Sequence, residues 1–321
     1  MKPFLSIGIP TYKRPLRLKH ILTTLANQLN IEKADWEIVV SDNCSNDETP
    51  NVVKSFESKL PITYVKHEIN KGPDFNFRSL ADSCKGEYLW FVPDDDDLVN
   101  ETSVSKIIGF IKNTPLPIGA AILNYKSIVL DTHEVLNENM FGRNENVYLP
   151  NGQDVLKHIE DVHLLTGICL ILKREAIRNE FVSQYSNSGN LSPMAMSITA
   201  CAKLPVLIVG EPLIILGAGD SAGWRKYWSS IYLQSIPNLL LHAQTFYGWE
   251  KATIKDAIKK HKSNIFKNIT WHFLLFQSYD MKWQKMAKIY GVFYTVFLVI
   301  LAPFMIVRSS KIGQKVFGRV N

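Results

Sequence analysis

The sequence predicts an α/β fold: a mostly parallel sheet flanked by helices, followed by a helical region that is basic and apolar. Three observations carry that reading. Short apolar runs alternate with segments of helical periodicity over the first hundred residues, each run ends in a polar cluster, and the character of the chain changes after Trp224. With 321 residues, 46% of them hydrophobic, the chain can bury a large core with material left for an appendage.

Phe4 to Ile9 is an apolar run closed by Pro10 and reads as a buried first strand. The turn Thr11-Tyr12-Lys13-Arg14 follows, and Pro15 stands at a first helical position, where its missing N–H costs nothing. Leu18, Ile21, Leu22, Leu25 and Leu29 give that helix one apolar stripe. Trp36 to Val40 is the second strand; Ser41 to Asp47 is its polar cluster, and a helix is expected from Thr49 to Ser58. Ile62 to Val65 is a third strand, followed by Asn70-Lys71-Gly72-Pro73 and a helix through Phe77, Leu80 and Ala81. Glu87 to Val92 is the fourth, and it runs into Asp94-Asp95-Asp96-Asp97.

Four ionised aspartates in a row raise one another's pKa values unless positive charge sits among them. Oxygen-only ligands on a short turn suit Mg²⁺ or Mn²⁺, which keep some waters and share themselves with substrate phosphates. An EF-hand loop is excluded, because Val99 stands where that loop needs its glycine. The competing reading is a solvated turn in which Asp97 caps a helix beginning near Leu98. In open parallel sheets ligands bind beyond the carboxyl ends of the strands. The clusters at 11–14, 42–47, 70–72 and 94–97 all follow strands, so all four are expected along one edge, lining one cleft.

Those same blocks, Ile9-Pro10-Thr11-Tyr12-Lys13-Arg14, Ile38 to Asp47, Asn70-Lys71-Gly72 with Asn76, and the Asp94–Asp97 run, resemble glycosyltransferase family 2. Within it the chain is similar to the bacterial O-antigen members labelled abequosyltransferase-like. The resemblance implies a GT-A fold over 1–222, with a nucleotide-sugar half at about 1–100 and an acceptor half at about 101–222. It implies inverting transfer from a nucleotide-diphosphate sugar to an oligosaccharide on a polyprenyl diphosphate. On that carry-over Asp94 and Asp96 end a D-x-D motif and hold Mg²⁺ or Mn²⁺, with Asp95 facing ribose or pyrophosphate. Thr11 and Tyr12 lie against the nucleoside and Asp42 accepts from the base, with Pro10, Asn43, Asn70, Lys71, Gly72 and Asn76 completing the donor side. Arg14, Lys71 and Arg78 are candidates to offset the charge of the leaving diphosphate.

An inverting transfer also needs a general base. The block where the family carries an aspartate corresponds here to Ser188–Met194, which has no carboxylate. Asp161, His163 and Asp220 are the candidates; Asp220 lies in a glycine-rich loop with Trp224, which is suited to stacking on a sugar. The same gap favours an alternative, a non-catalytic nucleotide-sugar-binding protein on a degenerate transferase fold. Specificity is expected from the second half of the domain, at Asn124, Gly167 and Trp224.

The C-terminal region, 223–321, reads as membrane-associating. Lys251, Lys255, Lys259 and Lys262 recur at helical spacing, and Ile289 to Val307 carries no charge between Lys288 and Arg308. Basic flanks on both sides and Pro303 favour a segment dipping into the cytoplasmic leaflet over a full span. The expected location is the cytoplasmic face of the inner membrane, peripheral or monotopic, against an anionic surface. Cys44, Cys84, Cys169 and Cys201 form no C-x-x-C pair, which argues against zinc and a disulfide framework. The N-terminus lacks a signal-peptide pattern, no nucleic-acid motif appears, and no glycine-rich loop marks a nucleotidyltransferase.

Overall fold

The computed structural model of the chain describes residues 2–28, 35–129, 132–165, 169–177, 180–185, 191–218 and 231–267. Two compact units divide the chain, 1–219 and 220–321. Asp220, Trp224, Gly167, Asn190 and the apolar stretch 289–307 lie outside the described residues, as does the side chain of His163.

In the first unit β1 (Leu5–Thr11), α1 (Pro15–Ala26), β2 (Trp36–Asp42), α2 (Thr49–Lys54), β3 (Ile62–Lys66), α3 (Pro73–Ser83) and β4 (Tyr88–Phe91) follow the expected alternation. Thereafter come β5 (Asp97–Leu98), α4 (Ser103–Lys112), β6 (Ala120–Val129), β7 (Val135–Asn137), β8 (Val147–Leu149), α5 (Val155–His158), β9 (Leu170–Lys173), α6 (Glu180–Gln184), α7 (Ser192–Lys203) and β10 (Val206–Ala218). The sheet order is β3-β2-β1-β4-β9-β6-β10-β5, with β7 beside β6 and β8 beside β10. The first four strands are mutually parallel; β9 inserts antiparallel between β4 and β6 and thereby leaves β6 and β10 pointing the same way as β4. The carboxyl ends of six strands therefore share one edge.

The core sits on both faces of β1, β2 and β4, where Leu5, Ile7, Ile9, Ile38, Val40, Trp90 and Phe91 are fully buried. On α1 the stripe Leu18, Ile21, Leu22 and Leu25 is buried as its spacing predicts. Phe77 of α3 meets Phe91 edge-on at 5.2 Å, which fixes that helix over the central strands. Gly86 permits a close approach: a Cβ there would lie 2.6 Å from the Ser6 nitrogen. α2 is shorter than the 49–58 expected, ending at Lys54.

The second unit shows a π turn, Ile231–Ser235, leading into α8 (Ile236–Tyr247), then α9 (Lys251–Lys267). Gly248 ends α8 with φ of 68°, the left-handed conformation that stops a helix. Among the described residues no helix is long and apolar enough to cross a membrane.

Candidate active site

Thr11, the last residue of β1, joins the turns at the sheet edge. Its hydroxyl donates to Asp94 Oδ2 at 2.7 Å, while its carbonyl accepts from the Asn43 N–H at 3.1 Å and from Asn76 Nδ2 at 3.5 Å. Asn76 in turn holds β2 through Ser41, accepting from its hydroxyl at 2.6 Å and donating to its carbonyl at 3.0 Å. Asn43 donates to Asn70 Oδ1 and to the Gly72 carbonyl, and accepts from the Lys71 N–H at 3.1 Å. The four polar clusters thus meet in one network.

Gly72 begins α3 with φ of 87°, a conformation open to glycine and strained for other residues. Tyr12 is 38% exposed and Lys71 lies over the Phe75 ring, 4.5 Å from its centre. Among the described residues Arg78 makes no ion pair with the aspartates. It lines a cavity of about 410 Å³ with Ala81, Ile177, Val182 and Met196.

The aspartates divide into three environments. Asp94 is buried and takes Arg14 Nη1 at 3.0 Å as well as the Thr11 hydroxyl. Burial pushes its carboxyl up to about 6, opposed by Arg14 and reinforced by Asp95. Asp95 is half-buried, 3.2 Å from Arg14 and 3.7 Å from Arg17. Asp96 is partly exposed with protein packed around its carboxylate, and among the described residues it accepts the Gly217 N–H alone, at 3.3 Å. Burial, then Asp95, Asp94 and Asp97, hold its carboxyl well above the usual range. Among the described residues no cation pairs with it.

Asp97 does not cap a helix. It belongs to β5, opposite Ile215 of β10, and its carboxylate takes His20 at 2.7 Å, while α4 begins only at Ser103. The arrival of β10 overrides the local capping pattern. Asp42 is 0% exposed, with Oδ1 accepting the Ser45 N–H at 2.8 Å and Oδ2 the Tyr64 hydroxyl at 2.6 Å. It closes the turn after β2. Asn124 is a structural pin, fully buried and donating to Gly210 across the bulge in β10. Asp161 is buried at the head of a 3-10 turn, Val162–Leu165, that packs on α7.

A model of glycosyl transferase family 2 matches residues 6–181. The chain belongs to glycosyltransferase family 2.

Family members with sequence similarity include the abequosyltransferase of Salmonella typhimurium, 34% identical over 100 residues that make up 30% of each chain. The poly(ribitol-phosphate) β-N-acetylglucosaminyltransferase TarS of Staphylococcus aureus is 33% identical over 107 residues, 33% of this chain and 18% of that one. A Campylobacter jejuni enzyme, GalNAc(5)-diNAcBac-PP-undecaprenol β-1,3-glucosyltransferase, is 33% identical over 100 residues, 30% of this chain and 31% of its own. The matches thus span about a third or less of these relatives. In three dimensions TarS residues 1–349 superpose with a TM-score of 0.61 at 16% identity, covering 97% of this chain and 88% of that one. The fold is a GT-A-like mixed α/β sheet.

Sequence reasoning missed Ser45, Tyr64 and Gly217 in this family-2 site. Ser45 lies within the Ile38–Asp47 block without being singled out there, Tyr64 carries no motif, and both are recruited by Asp42. Gly217 opens the glycine-rich sequence Gly217–Trp224 that holds Asp220, but only the placement of β10 brings its N–H to Asp96.

Proposed function

We propose that the chain transfers a sugar, with inversion, from a nucleotide-diphosphate sugar to a lipid-linked oligosaccharide at a membrane surface. The observation that carries this is Asp96, a carboxylate among three like charges, which among the described residues takes one backbone N–H and pairs with no cation. Arg14 already offsets Asp94 and Asp95, so the uncompensated negative charge of the edge is concentrated at one position. That donor set fits a hard divalent cation. Asp96 would hold it, and Asp94, anchored by Thr11 and Arg14, sets the backbone of the turn that presents Asp96. Bound Mg²⁺ or Mn²⁺ supplies Lewis-acid stabilisation to the departing diphosphate.

The chain's own residues do the rest. Tyr12 offers an exposed ring at the same edge for a nucleoside, and Arg14 and Lys71 bring positive charge to the cleft. For the proton of the acceptor hydroxyl we favour Asp220, three positions along the sequence from Gly217, over the buried Asp161. A lipid-linked acceptor accords with the undecaprenol-linked substrate in the name of the Campylobacter relative and with the basic, apolar C-terminal sequence.

Calorimetric titration with UDP, GDP, CDP and dTDP, each with and without Mn²⁺, tests the reading. One nucleotide should bind tightly only with metal, and Asp96→Asn should lose that metal dependence while keeping its fold. Binding of no nucleotide would refute the proposal; binding without turnover of any cognate sugar would favour the non-catalytic alternative.

A further inference from the structure

The second unit carries a feature that the aspartates do not explain. α8 and α9 pack together, and between them lies a groove of about 380 Å³. Its floor is apolar: Leu241 from α8, with Ile254 and Ile258 from α9. Its rim is cationic, formed by Lys251, Lys255, Lys259 and Lys262. Steps of four, four and three residues put these lysines in one line along the helix. Lys260 falls on the other side of the same helix, Asp256 flanks the row beside Lys259, and neither lines the groove.

Ammonium groups at such spacing repel one another, by a few tenths of a kcal/mol per neighbouring pair. Among the described residues Lys251, Lys255 and Lys259 form no ion pair with a carboxylate, so no salt bridge there offsets that repulsion. Burial holds the Lys262 ammonium below its usual pKa, the mark of a cation stripped of some water at the groove wall. Leu241 is 49% exposed although its neighbours Leu239 and Leu240 are fully buried, leaving a large apolar side chain open beside the lysines. A purely ionic ligand has no use for this floor, and an apolar partner none for this rim. The complement is an amphiphile with an anionic head.

We propose that this groove seats anionic phospholipid headgroups of a bilayer, with the lysines on the phosphates and the apolar floor against the glycerol-proximal part of the lipid. The assignment deepens the membrane-facing part of the proposed function and rests on it only for where the acceptor is met.

The test is flotation of the full-length chain with vesicles of phosphatidylcholine alone and of phosphatidylcholine mixed with phosphatidylglycerol. The wild type should partition onto the anionic vesicles in preference. Each lysine near an anionic surface contributes about five-fold, so Lys255→Gln with Lys259→Gln should weaken that partition roughly thirty-fold. Lys260→Gln, across the helix, should cost less than a single groove lysine, and Leu241→Ser should weaken binding with the charge unchanged. Equal partition of the wild type onto both vesicles overturns the proposal, as does wild-type partition of the double variant. Nucleotide binding by calorimetry should be the same in all variants, so failure of the groove and failure of the transferase reading are separate results.

Discussion

Asp94 makes the stability of this protein depend on pH in a direction opposite to that of an ordinary salt-bridged aspartate. The perturbation that exposes this is Asp94→Asn, which keeps the shape and an acceptor for the Thr11 hydroxyl but cannot ionise. In the folded chain the carboxyl titrates at about 6, against 3.8 as the reference value. A raised folded pKa means that the native state binds the extra proton between those two values. Stability from this group is therefore fully present below pH 3.8 and is lost as pH rises through about 6. The full difference corresponds to about 3 kcal/mol, of which roughly 2 to 3 kcal/mol falls between pH 4 and pH 7. Because Asp94 is 4% exposed, little of that is screened by solvent.

Loss of the Arg14 contact adds a cost to the variant that does not follow the same titration, so the quantity to read is the change in the wild-type-minus-variant difference with pH. Urea denaturation at a series of pH values, with EDTA present to keep divalent cations away, supplies it. The variant should gain on the wild type by roughly 2 to 3 kcal/mol from pH 4 to pH 7. Asp96 works in the same direction, since removing one like charge brings its own raised pKa down. A difference that is flat with pH would refute the argument, for it would mean that Arg14 and Thr11 hold Asp94 ionised in spite of its burial.

Other expectations follow from single residues. Gly72→Ala meets no atom within 4 Å, so its cost should be backbone strain alone, about 1 to 2 kcal/mol in urea titration, with weakened nucleotide binding because the Lys71 and Gly72 contacts to Asn43 shift. Asn76→Ala removes the bridge between β1 and β2 and leaves the buried Ser41 hydroxyl and carbonyl without this partner, so about 2 to 4 kcal/mol of stability should be lost. Cys44 is half-buried while Cys84, Cys169 and Cys201 are buried, and burial pushes the Cys84 thiol up to about 12; a thiol reagent should label one cysteine in the native chain and four after unfolding. Asp220→Asn should lower kcat for sugar transfer by a hundred-fold or more, on the order expected of a general base, with nucleotide affinity unchanged. An unchanged kcat would remove it from the mechanism.

What could be read in advance here depended on the range over which each interaction acts. The stripe on α1, the four apolar runs and the polar residues after each are local facts, and for parallel strands local facts suffice to say that polar ends gather on one edge. The partners within that edge are another matter. Arg14 meets Asp94 because β1 and β4 are neighbours, with Gly8 opposite Phe91, and eighty residues separate the two side chains. Tyr64 encloses Asp42 because β3 lies beside β2 in a register that sets Val40 opposite Tyr64. No spacing in either segment announces these pairings. Asp97 shows the converse, a capping pattern sound by local rules and displaced because β10 arrives from more than a hundred residues away and pairs with Leu98. The same arrival brings the Gly217 N–H to Asp96. Strand order therefore decides which of four adjacent and chemically identical aspartates is neutralised by arginine, which joins the sheet, and which is left short of positive charge. That last position is where a metal-bound diphosphate would find its complement, and composition alone could not have distinguished it from its neighbours.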